Sequence, residues 1–146
     1  MNNLVSIVND SAREWVRAQP APQAELQSLI SLAPTLPEAY LQFLALSNGG
    51  EGSLGAEPGW FQLWSASAVL ERNKGYGVLE ALPGFFGFGS DGGGELLAFQ
   101  LNISEAPVFM VPFIPLEASE ARLVAPSFSA FVSLLGLSPP ASPAGA

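Results

Sequence analysis

The sequence has no cysteine and no histidine among its 146 residues, and Lys and Arg together number only five. The absence of cysteine excludes disulfides, thiol catalysis and cysteine-based zinc sites, and it fits a reducing cytoplasm. Without histidine and with a single lysine, a nucleophilic hydrolase would lack its usual base. We therefore expect a protein that is not an enzyme and that uses neither a cofactor nor a metal.

Charged side chains are also scarce, at 12% of the chain, whereas a typical soluble domain has about 25%. Thirteen acidic and five basic residues give a net charge of −8. Such a field repels nucleic acid and anionic lipid and favours encounters with basic partners. We expect a protein partner, no nucleic acid or membrane ligand, and a monomer or weak homodimer.

Long hydrophobic runs are missing too, since no stretch approaches the roughly eighteen consecutive apolar residues of a transmembrane helix. The N-terminus also lacks the features of a signal peptide, so the pattern predicts a cytoplasmic protein. The length fits one domain, predicted over residues 1–137, with N-terminal helices in 1–35 and the main motifs in 36–137. The Pro- and Ala-rich residues 138–146 predict a flexible tail.

Helical spacing dominates the first third of the chain. Apolar residues recur at this spacing from Asn3 to Ala18, which predicts an amphipathic helix, and a second short helix precedes Pro34. Thr35 and Glu38 match a capping box that starts a third helix. The turn that ends this helix is predicted at Asn48, Gly49 and Gly50. A glycine-rich acidic loop follows over residues 51–59.

The next segment, Trp60 to Trp64, alternates as a strand does, with Phe61 and Leu63 on one face and the two tryptophans on the other. Both faces therefore carry bulky apolar groups. Helices cover the tryptophan face in the interpretation that we favour, because large aromatic side chains usually belong to a core. The alternative is that Trp60 and Trp64 contribute to a binding surface. A short helix starting near Ser65 follows.

The stretch from Phe85 to Phe99 predicts a β-hairpin. Its turn contains Gly92, Gly93 and Gly94, which can take positive φ, and Asp91, whose carboxylate can accept hydrogen bonds from nearby backbone N–H groups. The glycines also satisfy a dinucleotide-binding spacing, but that motif requires a helix immediately afterwards, and here an alternating strand follows. Further strands are predicted at 108–113 and 122–124, and a last helix after Ser127.

Four acidic residues lie in the glycine-rich loops. They form one acidic edge if the loops cluster, or they are ordinary solvated charges, and the sequence favours neither interpretation. Two carboxylates near the hairpin turn are too few for a calcium loop. The candidate partner-binding residues are Glu51, Glu57, Trp60, Trp64, Asp91 and Glu95.

Five segments in this order resemble the SUKH superfamily, in its Smi/Knr branch. They are LPEAYLQFLALSNGGEG (36–52), FQLWSASAVLERN (61–73), FFGFGSDGGGELLAF (85–99), VFMVPFIPL (108–116) and APSFSAFVSLL (125–135). The combination of NGG after a helix with the GSDGGGE hairpin is its most specific part. Many relatives carry an aspartate where this chain has Gln100.

The resemblance implies an α+β fold in which helices pack against a central, mostly antiparallel sheet of about four to six strands. It also implies a function without catalysis or cofactor. Bacterial domains of this kind are commonly immunity proteins that bind and block a cognate toxin of a polymorphic toxin system, often a basic nuclease. The alternative is a protein-interaction scaffold or regulatory module without a toxin partner, as in eukaryotic relatives.

Overall fold

The computed structural model describes residues 3–139, in which six α-helices and one 3-10 helix accompany a seven-stranded sheet. The helices are α1 Asn3–Val8, α2 Gln23–Leu32, α3 Glu38–Leu46, α4 Val69–Tyr76, α5 Val78–Ala81 and α6 Phe128–Val132, and the 3-10 helix is Ala118–Glu120. The strands are β1 Trp15–Arg17, β2 Gly50–Ser53, β3 Trp60–Leu63, β4 Phe85–Ser90, β5 Glu95–Gln100, β6 Val108–Pro112 and β7 Arg122–Ala125. Most of the predicted tail lies outside the described residues.

The sheet is antiparallel throughout, and its strands lie side by side in chain order from β1 to β7. The predicted α+β fold is confirmed, with seven strands where four to six were expected. The additional strands are β1 and β2, which the sequence patterns assigned to a helix and a loop.

The prediction of a helix from Asn3 to Ala18 is wrong beyond Val8, where α1 ends. Trp15 belongs instead to β1, and its ring lies 6.1 Å from that of Phe43 and 5.7 Å from that of Phe61. Its pairing partner on β2 is Gly52, where an added Cβ would lie 2.3 Å from the Cβ of Trp15. Glycine therefore lets these two strands pair, although it hides β2 in a loop-like sequence.

The start of α3 differs from the predicted capping box. Its N-cap is Pro37, and no side chain caps the helix. At the other end, the buried hydroxyl of Ser47 accepts a hydrogen bond from the N–H of Ala18 and donates one to the carbonyl of Gly49. Asn48 accepts a 2.7 Å hydrogen bond from the N–H of Ala66. Polar contacts therefore fix the connection between α3 and β2.

Both predicted glycines of this connection take positive φ, +103° at Gly49 and +131° at Gly50. A Cβ added to Gly49 would also lie 2.5 Å from the carbonyl oxygen of Leu63 on β3. The left-handed conformation and the close approach to β3 both require glycine here.

Two apolar cores lie on opposite faces of the sheet. The larger core joins α1, α2, α3 and α6 to the first face, and its aromatic side chains include Tyr40, Phe43, Phe61, Phe88, Phe99 and Phe128. The smaller core lies on the second face, where Val78 and Leu82 pack on Phe85, Leu96, Ala98 and Val111. In the part of the chain that the structure describes, no helix is long and apolar enough to cross a membrane.

Helix α4 lies beside β4 at the place where β3 has ended. The buried side chain of Asn73 donates hydrogen bonds to the carbonyls of Gly87 (2.7 Å) and Val69 (2.8 Å), and accepts one from the N–H of Gly87 (2.8 Å). Asn73 thus provides the pairing that a neighbouring strand would otherwise give to β4. The register of β4 and β5 shifts between Gly87 and Gly89, next to this contact.

Candidate functional site

The second face of the sheet is covered at one end and open at the other. One row of paired residues crosses it from β1 to β6: Val16, Glu51, Gln62, Ser90, Leu96 and Val111. Leu96 and Val111 are fully buried in the smaller core, whereas Val16 is 70% exposed and Glu51 is also exposed. We call the second face of β1–β3 the open half, and that of β4–β6 the covered half.

A cleft of about 550 Å³ lies between the open half and α4. Glu51, Gln62 and Ser90 line its sheet side. A stack of aromatic rings lines the other side, with ring centroids 5.9 Å apart for Trp64 and Tyr76 and 4.6 Å apart for Tyr76 and Phe113. The guanidinium of Arg72 lies 5.8 Å from the Trp64 ring centroid.

The two candidate tryptophans have different environments. Trp64 is partly buried, since its ring stacks on Tyr76 and packs against both cores. Trp60 is 41% exposed and projects from the open half beside the hairpin turn, where a Cβ on Gly92 would lie 3.6 Å from its ring. Helices therefore cover one tryptophan of this face and leave the other accessible.

The hairpin turn is organised by Asp91. One oxygen of its carboxylate accepts hydrogen bonds from the N–H of Gly93 (2.8 Å) and that of Glu95 (3.0 Å). Of the three consecutive glycines, Gly92 takes positive φ (+80°), whereas Gly93 and Gly94 do not. The carboxylate therefore holds the turn, and its second oxygen makes neither of these two bonds.

The four candidate acids divide into a group of three and a separate residue. Glu57 forms a 3.7 Å ion pair with Arg122. Burial raises the pKa of Glu95, Arg122 lowers it, and the nearby charges of Asp91 and Glu57 raise it further. Glu51 lies apart on the open half, where its carboxylate accepts a 3.4 Å hydrogen bond from Gln62. An acidic edge, one of the two interpretations that the sequence left open, would thus contain three of the four acids, with Arg122 among them.

Sequence reasoning missed several residues of this surface. Glu14 and Val16 were assigned to a helix, yet Val16 follows the buried Trp15 on β1 and therefore faces the open half. Glu14 immediately precedes β1 and lies beside Val16, Glu51 and Trp60. Tyr76 and Phe113, which line the cleft, were not among the candidate residues. The one available signal for Glu14 and Val16 was their alternation with Trp15.

The arrangement offers an exposed indole, an exposed valine and a carboxylate on a rigid sheet, beside an aromatic cleft. Within residues 3–139, no three acidic side chains converge closely enough to hold a metal ion. What the open half can do chemically is contact another molecule through apolar area and negative charge.

No curated protein matches this chain significantly. The family model described as the SMI1 / KNR4 family (SUKH-1) matches residues 20–134, which include every element from α2 to α6 and leave β1 outside. This chain therefore belongs to the SMI1 / KNR4 family (SUKH-1).

Proposed function

We propose that this protein is an immunity protein, which binds a cognate toxin domain of a polymorphic toxin system and neutralises it by occlusion. It does so without catalysis and without a cofactor. The observation that carries the proposal is the open half of the sheet in a member of the SUKH-1 family. Exposed apolar groups on a rigid surface are typical of a protein interface.

The charge of the chain supports a basic toxin, such as a nuclease domain. A net charge of −8 attracts a basic partner over long distances and raises the rate of association more than the final affinity. Glu51 and Trp60 lie at the centre of the proposed interface, because both belong to the open half. The other four candidate residues lie further out, at the cleft and near the hairpin turn: Trp64, Asp91, Glu57 and Glu95.

The test is co-expression of the toxin encoded beside this gene, with and without this protein. We expect growth when both are present and killing when the toxin is expressed alone. Equal killing in both cultures would refute the proposal. With purified toxin, Glu51→Lys should slow association at low salt, whereas Glu120→Lys, an exposed acid next to β7, should change it less.

The second candidate is a scaffold or regulatory module without a toxin partner. Its supporting observation is that the matched family takes its description from SMI1 / KNR4 proteins, which the resemblance connects with such roles. Affinity purification from the native cell separates the two candidates. One tightly bound toxin-like protein favours immunity, and several housekeeping proteins favour the scaffold.

A further inference from the structure

A second row of residues lies next to Glu51 on the open half. The carbonyl of Glu14 accepts a 3.1 Å hydrogen bond from the N–H of Ser53, and Ser53 pairs with Trp60. Trp15, between Glu14 and Val16, is buried on the first face. Because side chains alternate along β1, Val16 shares the open half with Glu51 and Trp60. Glu14 immediately precedes β1 and lines one pocket with these three residues.

These residues line a pocket of about 280 Å³ at the β1 end of the sheet. Glu14 and Glu51 bring two exposed carboxylates, which stand diagonally across the strands from each other, and Trp60 brings an accessible indole. Val16 provides an exposed aliphatic surface. Diagonal neighbours on a sheet are close enough for long side chains to act on one ligand.

The nearest cations are already used within the protein. Arg13 lines the pocket, but its guanidinium donates to the carbonyls of Ser133 (3.0 Å) and Leu135 (2.8 Å) and lies 3.5 Å from the Asp10 carboxylate. Arg17 follows Val16 and therefore points to the first face, where it donates to the carbonyl of Val8. Neither guanidinium is directed to the carboxylates of Glu14 and Glu51.

We propose that this pocket binds an arginine side chain of the protein partner. The methylene groups lie on Val16, the guanidinium stacks on the indole of Trp60, and its N–H groups donate to Glu14 and Glu51. Arginine fits better than lysine because its planar guanidinium stacks on aromatic rings and donates in two directions at once. That the partner is a toxin rests on the proposed function. The binding of an arginine side chain by this pocket does not depend on it.

The pocket is tested with N-acetylarginine amide and its uncharged isostere N-acetylcitrulline amide. The two compounds are titrated into the ¹⁵N-labelled protein while the Trp60 indole N–H and the Val16 amide are followed by NMR. We expect saturable shifts at both groups with the arginine compound and no saturation with the citrulline compound. Equal responses to the two compounds, or no response to either at millimolar concentration, would overturn the proposal.

A double variant and a matched control locate the binding. Glu14→Gln with Glu51→Gln should weaken binding of the arginine compound about tenfold, since each exposed charge pair contributes modestly. Glu120→Gln removes one exposed charge near the opposite edge and should leave the affinity unchanged. Both substituted sites are exposed, so the spectrum of the variant should keep the dispersion of the folded protein. Unchanged affinity in the double variant would refute the role of the two carboxylates.

Co-expression with the toxin separates this inference from the proposed function. If the protein protects and the double variant protects and binds the toxin equally well, the pocket is not the arginine site and the immunity function stands. If the protein fails to protect while the arginine titration saturates at Trp60, the immunity function is refuted and arginine binding by the pocket is supported. Lost protection in the double variant alone supports both.

Discussion

The covered and open halves of the second sheet face belong to one sheet and share one cross-strand row, yet they have opposite surroundings. Leu96 and Val111 are fully buried where α5 and Leu82 lie over them. In the same row, Val16 and Glu51 face outwards because no described helix crosses β1–β3 on this side. One continuous sheet is therefore buried at one end of this face and accessible at the other.

The boundary between the halves is built by α4. Its residue Asn73 is hydrogen bonded to Gly87 of β4, and its residue Tyr76 stacks between Trp64 and Phe113 at the edge of the cleft. Because the covered half is buried under α5 and the open half is exposed, the two regions should respond very differently to substitution.

The largest difference is expected between two apolar residues of the same row. Leu96→Ala should lower the free energy of unfolding by about 2–5 kcal/mol, because it leaves a cavity under α5. Val16→Ala should change it by less than about 0.5 kcal/mol, because Val16 is mostly solvated. Urea denaturation of both variants measures this contrast, and similar losses at the two sites would contradict the division into halves.

The boundary is broken by Asn73→Ala. This change removes the hydrogen-bond partner of the Gly87 N–H and carbonyl, which are then buried without hydrogen bonds. We expect the free energy of unfolding to fall by about 1–3 kcal/mol. Lys74→Ala on the same helix is the control, since Lys74 is exposed. Thermal unfolding compares the stability of the two variants. If Asn73→Ala loses no more stability than Lys74→Ala, then Asn73 does not stabilise β4 as described.

The hairpin turn beside Trp60 gives a smaller expected effect. Gly92→Ala places a Cβ on a residue with φ of +80°, which should cost about 1–2 kcal/mol. Gly94→Ala should cause no loss, because Gly94 has no positive φ and an added Cβ would meet open space. Chemical denaturation of this pair tests whether a single glycine of the three fixes the turn. Equal losses would show that the turn depends on both.

The smallest expected effect is the pH dependence of Glu95. Because burial raises its pKa in the folded protein, the ionised carboxylate opposes folding at neutral pH, and protonation relieves this as the pH falls through the raised pKa. Glu95→Gln should therefore be slightly more stable at pH 7, by less than about 0.5 kcal/mol because solvent screens a carboxylate that is partly exposed. The gain should vanish below pH ~4, near the unfolded pKa of Glu.

Thermal unfolding of the protein and the Glu95→Gln variant between pH 3 and 8 measures this dependence. A variant that is less stable at pH 7 would mean that the electrostatic attraction of Glu95 to Arg122 outweighs the cost of burial.

Much of the fold was predictable because its signals are local. The hairpin of β4 and β5 has alternating apolar residues around Asp91 and the glycines, and the start of α6 has Ser127, whose hydroxyl accepts a hydrogen bond from the N–H of Ala130. Such patterns act within a few residues and need no distant partner. The resemblance to the SUKH superfamily rested on the order of these local patterns, and that resemblance implied the α+β class.

The open half was not predictable in the same way. Residues 15–17 fit a helical period as well as a strand, and only their pairing with residues 50–52 decides between them. Gly50 and Gly52 carry no side chain that could reveal a strand, because Trp15 and the backbone of β1 occupy the space that a Cβ would need. The candidate site was therefore known from sequence by its acids and tryptophans, without Glu14 and Val16.

The sequence by itself determined the charge of −8, the absence of cysteine and histidine, the hairpin and the family. The tertiary structure alone decided which residues of these types are accessible. Trp60 and Trp64 are chemically identical neighbours on one face, yet β3 ends at Leu63, and the chain returns through α4 to cover Trp64 only. Exposure depends on contacts between distant segments, which local residue patterns do not encode.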